Sequence, residues 1–289
     1  MDHLTCPAFT GGMADTREQT TLVLGGTGKT GRRVAERLAR RGVPTRIGSR
    51  AGAPPFVWED EATWGPVLAD VTAAYVVYYP DLAFPGAADT IRAFADRAVA
   101  SGVRRLVLLS GRGEEEAQAS ERAVQQSGAE WTILRASWLA QNFSEHFLLQ
   151  PVLDGVIALP AGEVPEPFVD AEDIADVAVA VLAGDGHAGR LYELTGPRSL
   201  TFGDVADELT KVLDREIVYL PVTPREYAAA AIGHGVPSEE VGPLTELFTR
   251  VLDGRNAEVA DGVREALGRE ARDFTDYARD TAATGVWAV

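Results

Sequence analysis

Residues 20–38 read TTLVLGGTGKTGRRVAERL: an apolar run, a glycine-rich turn and an amphipathic segment. Thr21 to Leu24 has the short apolar character of a strand buried on both faces. From Gly31 to Arg41, Val34 and Leu38 fall on one face of a predicted helix that Gly42 closes. Between them Gly25, Gly28 and Gly31 stand as G-x-x-G-x-x-G. The first glycine permits a tight turn, the second lets backbone approach a diphosphate, and the third lets the helix pack closely on the strand. Amides at the helix start then face the phosphates. Gly25, Thr27, Gly28, Lys29, Thr30 and Gly31 are the candidate cofactor-binding positions, with a ligand-free glycine turn as the alternative. Lys29 does not make this a mononucleotide P-loop, because its spacing from the preceding glycine is wrong.

The same alternation continues downstream. Predicted strands cover Pro44–Gly48, Phe56–Trp58, Ala73–Pro80, Val103–Ser110 and Glu130–Arg135, so that they number two to six after the first. Predicted helices lie near Ala62–Leu68, Asp89–Ser101 and Glu114–Ser127. Strand and helix recur at βαβ spacing, which argues a doubly wound parallel sheet. The second half is more mixed. A short strand and a helix capped by Asp170 are expected in PFVDAEDIADVAVAVLAG, a strand at Arg190–Gly196, a helix in LTFGDVADELTKVLD, a strand in REIVYLPV, and mostly helix thereafter. The fold class is therefore α/β: a doubly wound parallel sheet with a smaller, closely packed carboxy-terminal α/β region on the substrate side. Boundaries are set at 1–19 for a flexible tail, 20–154 for the nucleotide-binding domain, and 155–289 for a region partly interleaved with its sheet.

At 289 residues with 46% hydrophobic content, the chain suits one large domain or two intimately joined ones. The net charge of −16 argues against a nucleic-acid partner. No apolar run approaches a membrane span. The single cysteine, Cys6, provides no disulfide framework or thiolate zinc site, and no other spacing suggests a metal. Residues 1–19 lack the basic and apolar regions of a signal peptide, so a cytoplasmic location is expected. The expected partner is a small-molecule substrate, with room left for a homodimer.

Cofactor preference is read after the second strand. An NAD-preferring fold places an acidic residue about 20 positions beyond the loop, but nothing acidic lies between Glu36 and Glu59. Ser49 and Arg50 stand there instead. A guanidinium at that point pairs with the 2′-phosphate of NADP, which favours NADPH over NADH. A solvated surface arginine is the alternative.

Short-chain dehydrogenases typically work with a serine and Tyr-x-x-x-Lys. Ser110, at the end of the fifth predicted strand, matches the position of that serine, either as a catalytic or substrate contact or as a strand-closing residue. The pair is absent: Gly25 precedes Lys29 by four residues, Asp207 precedes Lys211, and there is no third lysine.

The stretches LVLGGTGKTGRRV, LVLLSG, EWTILRASWLAQNFSEHF, PFVDAEDIADVA and YELTGPRSLTFGDVADEL together resemble the NmrA-like atypical short-chain dehydrogenase/reductases, and within them the agroclavine/festuclavine dehydrogenase family. The likeness runs from about Thr20 to Trp287. It implies a Rossmann fold that binds NADPH and an activity that reduces an iminium to an amine without the Tyr/Lys pair, in secondary metabolism. The chemistry supplies a reason. An iminium carbon is already electrophilic, and a conjugated quinone or enone needs less help from an acid that is ordinarily worth roughly 10²–10⁴-fold. What remains is orientation. Some NmrA-like proteins instead bind dinucleotide as redox sensors without turnover, and the missing pair suits that alternative equally.

Ligands in open α/β sheets lie beyond the carboxyl ends of the strands. That rule selects Tyr79 and Pro80, the stretch from Ser110 to Arg112, and the stretch from Ala136 to Phe143. The resemblance implies that the last of these passes the nicotinamide, although Ala136-Ser137-Trp138 lacks a proline often found there. Tyr79, Ser137, Trp138, Asn142 and Phe143 are the candidate substrate-pocket residues, with core packing as the alternative for the aromatics. His146 is read as structural, Glu114–Glu116 as a solvated charge run, and Asp170 and Asp173 as capping and structural.

Overall fold

The computed structural model describes residues 20–233 and 238–289; the segment 1–19, expected to be a tail, lies outside the described residues. In chain order the strands are β1 (Thr20–Leu24), β2 (Thr45–Gly48), β3 (Val71–Val76), β4 (Arg105–Gly111), β5 (Glu130–Ala136), β6 (Val156–Leu159), β7 (Arg190–Leu194) and β8 (Val218–Pro221). The helices are α1 (Lys29–Arg40), α2 (Trp64–Leu68), α3 (Ala87–Ala100), α4 (Ala117–Gln125), α5 (Asn142–Glu145), α6 (Leu149–Asp154), α7 (Ala171–Ala183), α8 (Phe202–Leu213), α9 (Pro224–Gly233), α10 (Ser238–Val251), α11 (Gly262–Leu267) and α12 (Phe274–Ala283).

Six strands pair in parallel in the order β2-β1-β3-β4-β5-β7, and β6 pairs with β8 in a separate two-stranded parallel sheet. The continuous apolar strands are explained by burial on both faces. Leu22 and Leu24 join Ala74, Val76, Leu106 and Leu108 in a core with Ile91 and Phe94 of α3 and Val124 of α4. Their alternates Val23, Ala73, Tyr75 and Val107 pack the other way, against Val34 and Leu38 of α1 and Ile174, Val177 and Val181 of α7. Period-two alternation therefore fills two cores.

The carboxy-terminal half contributes to this sheet directly. β7 extends it beside β5, and α7 covers its centre. A third core, built around Phe143, Phe168, Phe202, Phe248, Phe274 and Trp287, holds α5, α8, α10 and α12 together. Arginines tie the layers. Arg33 and Arg37 of α1 bond Glu172 and Asp176 of α7, and Arg269 and Arg272 reach the fully buried Asp173. Asp170 caps α7 by accepting from the Glu172 N–H at 2.8 Å.

Some expected elements differ. Phe56–Trp58 is not a strand: Pro54 and Pro55 precede it without N–H donors, and no strand pairs with it. Its alternation serves an aromatic cluster instead, with Phe56 and Trp58 edge-on to Phe94 and Trp64. The strand expected before α7 is reduced to isolated bridges, Leu139 with Val169 and Glu166 with Leu200. β3 stops at Val76, which leaves Val77–Pro80 as a loop, and α4 starts at Ala117, which leaves Glu114–Glu116 in a turn.

Candidate active site

The strand order reverses direction at β1: β2 lies on one side and β3 on the other. The crevice beyond such a switch point is where open α/β sheets bind ligands. On its floor Gly25 has φ +62°, a conformation that disfavours other residues. A Cβ on Gly31 would stand 2.2 Å from the Gly25 carbonyl oxygen, and one on Gly26 would stand 2.8 Å from Ile47 Cγ2. The loop is thus pressed onto its own helix, which brings Gly28 to the mouth as the α1 N-cap. No side chain caps α1, so the amides of Lys29, Thr30 and Gly31 are left for a ligand or water. This cradle fits a diphosphate, whose charge the helix dipole favours.

At the end of β2 two arginines differ, Arg46 within the strand and Arg50 in the turn after it. Arg46 is committed, donating to the carbonyls of Val67 at 2.8 Å and Ala69 at 2.5 Å. Arg50 is exposed and has no hydrogen bond or ion pair among the described residues. Half-buried Ser49 accepts the N–H groups of Gly52 and Phe56 on its carbonyl, which holds the turn that presents Arg50.

On the other wall, Tyr79 is 72% exposed beside Pro80. Asn142 Oδ1 accepts from Lys29 Nζ at 2.7 Å, joining the glycine loop to the segment after β5. Burial brings the Lys29 ammonium down to about 8, against the pull of Glu145. Trp138 is half-buried, its ring set among Phe147, Phe202 and Phe248. Ser137 is buried and donates to the Pro167 carbonyl at 2.6 Å. Phe143 lies at 0% exposure inside the third core, with its carbonyl accepting from Trp287 Nε1. The structure thus sets Tyr79, Trp138 and Asn142 at partly open positions and places Ser137 and Phe143 behind them. His146 follows α5, its rim exposed and its ring edge-on to Phe147; partial desolvation and the Lys29 charge hold its pKa below the usual imidazole range.

Ser110 sits at the end of β4, as its sequence position implies, but its hydroxyl donates to the buried Glu121 at 2.7 Å. Arg135 grips the same carboxylate at 2.8 and 2.6 Å. The serine hydroxyl is therefore spent beneath the strand end.

Glu114, expected in a solvated charge run, is instead half-buried, and Asp81 and Glu166 carried no expectation. Asp81, just after Pro80, and Glu114, three residues beyond β4, hydrogen-bond to each other through their carboxyl groups. Glu114 stands directly over Gly111: a Cβ there would lie 2.2 Å from its carboxyl carbon. Burial and the neighbouring Asp81 push Glu114 up to about 8, and burial raises Asp81 as well. Glu166, 1% exposed, accepts from the Trp138 N–H at 3.1 Å and is pushed up to about 7 by burial. In the sequence Glu114 opens a charge run and Glu166 lies between prolines, so neither carries a local signal. Only the strand ends at which they converge give them one.

No family model matches the chain. Agroclavine dehydrogenase of Claviceps fusiformis is 32% identical to it over 93% of this chain and 98% of the relative. The (4-alkanoyl-5-oxo-2,5-dihydrofuran-3-yl)methyl phosphate reductase of Streptomyces griseus is 32% identical over 90% of this chain and 97% of its own. Among solved structures, the NADPH-dependent quinone oxidoreductase QOR2 of Escherichia coli with bound NADPH superposes with a TM-score of 0.77 at 22% identity, covering 91% of this chain and 99% of that one. That likeness establishes the Rossmann-like architecture. The chain belongs to the agroclavine/festuclavine dehydrogenase family and is an oxidoreductase.

Proposed function

We propose that this protein is an NADPH-dependent reductase that delivers hydride to an iminium, an imine or a conjugated carbonyl such as a quinone or enone, in secondary metabolism. The observation that carries the reading is the glycine cradle, in which Gly31 is closed to 2.2 Å by the Gly25 carbonyl and uncapped α1 amides face the switch-point crevice. The amides of Lys29, Thr30 and Gly31 would hold the diphosphate, with Thr27 and Lys29 beside it. Arg50 and Ser49 would hold the 2′-phosphate, and Tyr79, Pro80 and the backbone at Ser110 would line the path toward the nicotinamide. When bound, the cofactor supplies a hydride; the chain supplies position. Trp138 and Tyr79 offer flat surfaces to a planar acceptor, Asn142 a hydrogen-bonding side chain, and the ring cluster behind Trp138 keeps water from that wall. The relatives' names agree with this range, from a clavine to an unsaturated ring bearing an oxo group.

The test is a titration with NADPH and NADH, followed by an acceptor panel of cyclic iminiums, quinones and enones read at the NADPH absorbance. The expected result is tight NADPH binding and oxidation only when a suitable acceptor is present. Tight binding with no turnover on any acceptor would favour a dinucleotide-sensing role.

A further inference from the structure

Reduction of a neutral conjugated carbonyl leaves an electron pair on oxygen, and that oxygen must gain a proton. The groups ordinarily placed to give one are absent or engaged. There is no Tyr-x-x-x-Lys, Ser110 donates to Glu121, and Lys29 donates to Asn142. Asp81 and Glu114 differ from these. They sit in the loops after β3 and β4, neighbouring strands whose carboxyl ends border the crevice, and each is only partly buried. Two carboxyl groups in hydrogen-bond contact cannot both be ionised at low cost, so one proton stays between them.

Resting on the function proposed above, we propose that the Asp81–Glu114 pair is the proton donor for neutral quinone or enone acceptors. The step balances simply. The β-carbon of the conjugated system receives hydride with its two electrons, the C=C π pair shifts to the bond beside the carbonyl carbon, the carbonyl π pair moves to oxygen, and that oxygen takes the proton as the carboxyl O–H bond breaks. The pair is left fully ionised and regains its proton from water. An iminium acceptor becomes a neutral amine on hydride addition and draws no proton, so one site can serve both acceptor classes while the pair matters to only one of them.

The electrostatic surroundings support a retained proton. Glu114 faces Asp81 from the loop after β3 and Glu121 from α4, while Gly111 of β4 offers only backbone. Glu121 is itself held by Arg135 and Ser110. Arg112, the nearest cation in sequence, is turned toward Glu193 and the carbonyls of Asn256 and Glu258. Asp81 accepts the Ala83 N–H at 2.8 Å, which fixes its orientation.

The experiment compares wild type with Glu114→Gln and Asp81→Asn on menadione, a neutral quinone, and on an N-methylated dihydroisoquinolinium salt. NADPH titration of each variant serves as the folding control. The menadione-to-iminium rate ratio is expected to fall about 100-fold in either variant, the scale of lost acid catalysis. In wild type the menadione rate should decline at alkaline pH as the pair, raised by burial and mutual repulsion, releases its shared proton, and that inflection should vanish in Glu114→Gln. Independently of turnover, infrared difference spectra between neutral and alkaline pH should show protonated-carboxyl absorption, part of it from the buried Glu166, and the part from the pair should be lost in Glu114→Gln. An unchanged rate ratio, an equal loss on both acceptors, or protonated-carboxyl absorption as strong in Glu114→Gln as in wild type overturns the proposal. A wild-type protein that binds no NADPH or reduces neither acceptor instead overturns the reductase reading, whereas active wild type with unaffected variants overturns this step alone.

Discussion

A methyl group added at Gly31 would meet the Gly25 carbonyl oxygen at 2.2 Å, against 3.2 Å for one added at Gly28. The neighbour in both cases is backbone, which gives little. Gly31→Ala is therefore expected to cost about 1–3 kcal/mol of stability through overpacking, measured by urea unfolding, and to abolish NADPH binding. Gly28→Ala should fold with a smaller loss, so that equal unfolding midpoints for the two variants would contradict the packing argument. At Arg50 the prediction is electrostatic. Its guanidinium is uncommitted while Arg46 is engaged. Arg50→Glu should weaken NADPH roughly 10- to 100-fold, the value of a charge-assisted contact, with little change for NADH. Parallel titrations with the two nucleotides decide it.

At the scale of elements, the join between β5 and α7 carries an uncompensated acid. Glu166 bridges backbone to Leu200, accepts the Trp138 N–H, and has its pKa pushed from 4.5 to about 7 by burial. The folded state thus holds a proton that the unfolded state has released, so stability from this group is complete below about 4.5 and is lost as pH rises through about 7. The loss amounts to about 3 kcal/mol at most. Glu166→Gln keeps an acceptor for Trp138 without the charge, so it should raise the unfolding free energy at pH 8 relative to wild type and flatten its dependence between pH 5 and pH 8. Denaturant melts across that range test this. A wild-type slope that persists in the variant would assign it to other groups.

For the whole molecule, the segment around Trp287 is part of the third core. Trp287 is 2% exposed, stacks edge-on to Tyr277, and donates to the carbonyl of Phe143 at 2.9 Å. Phe143 in turn packs with Phe168, Phe202 and Phe274 behind the wall that Trp138 forms. Trp287→Ala should cost about 3–5 kcal/mol by leaving a cavity and an unmet carbonyl. It should also raise the KM for any acceptor more than it lowers NADPH affinity, because the glycine cradle belongs to the other two cores. Calorimetry alongside both titrations would show it, and an equal loss of cofactor affinity would mean that the cores are not separable.

The pattern of residues along the chain determined the sheet. Strand-turn-helix spacing, the three glycines and the absence of an acid after β2 are local facts, since backbone conformation and burial on both faces leave marks within a few positions. The same is true of the Asp170 cap. Phe56–Trp58 misled because apolar alternation records burial and not the partner, and here the partner is a ring cluster. Tertiary structure alone decided which side chains are spent and which remain available. Ser110 is drawn under the strand by Glu121, Phe143 is enclosed, Arg46 is tied down while Arg50 is not, and Asp81 meets Glu114 across two strand ends. Such pairings depend on distances between residues far apart in sequence, and a carboxyl's proton is set by the neighbours that only folding brings to it.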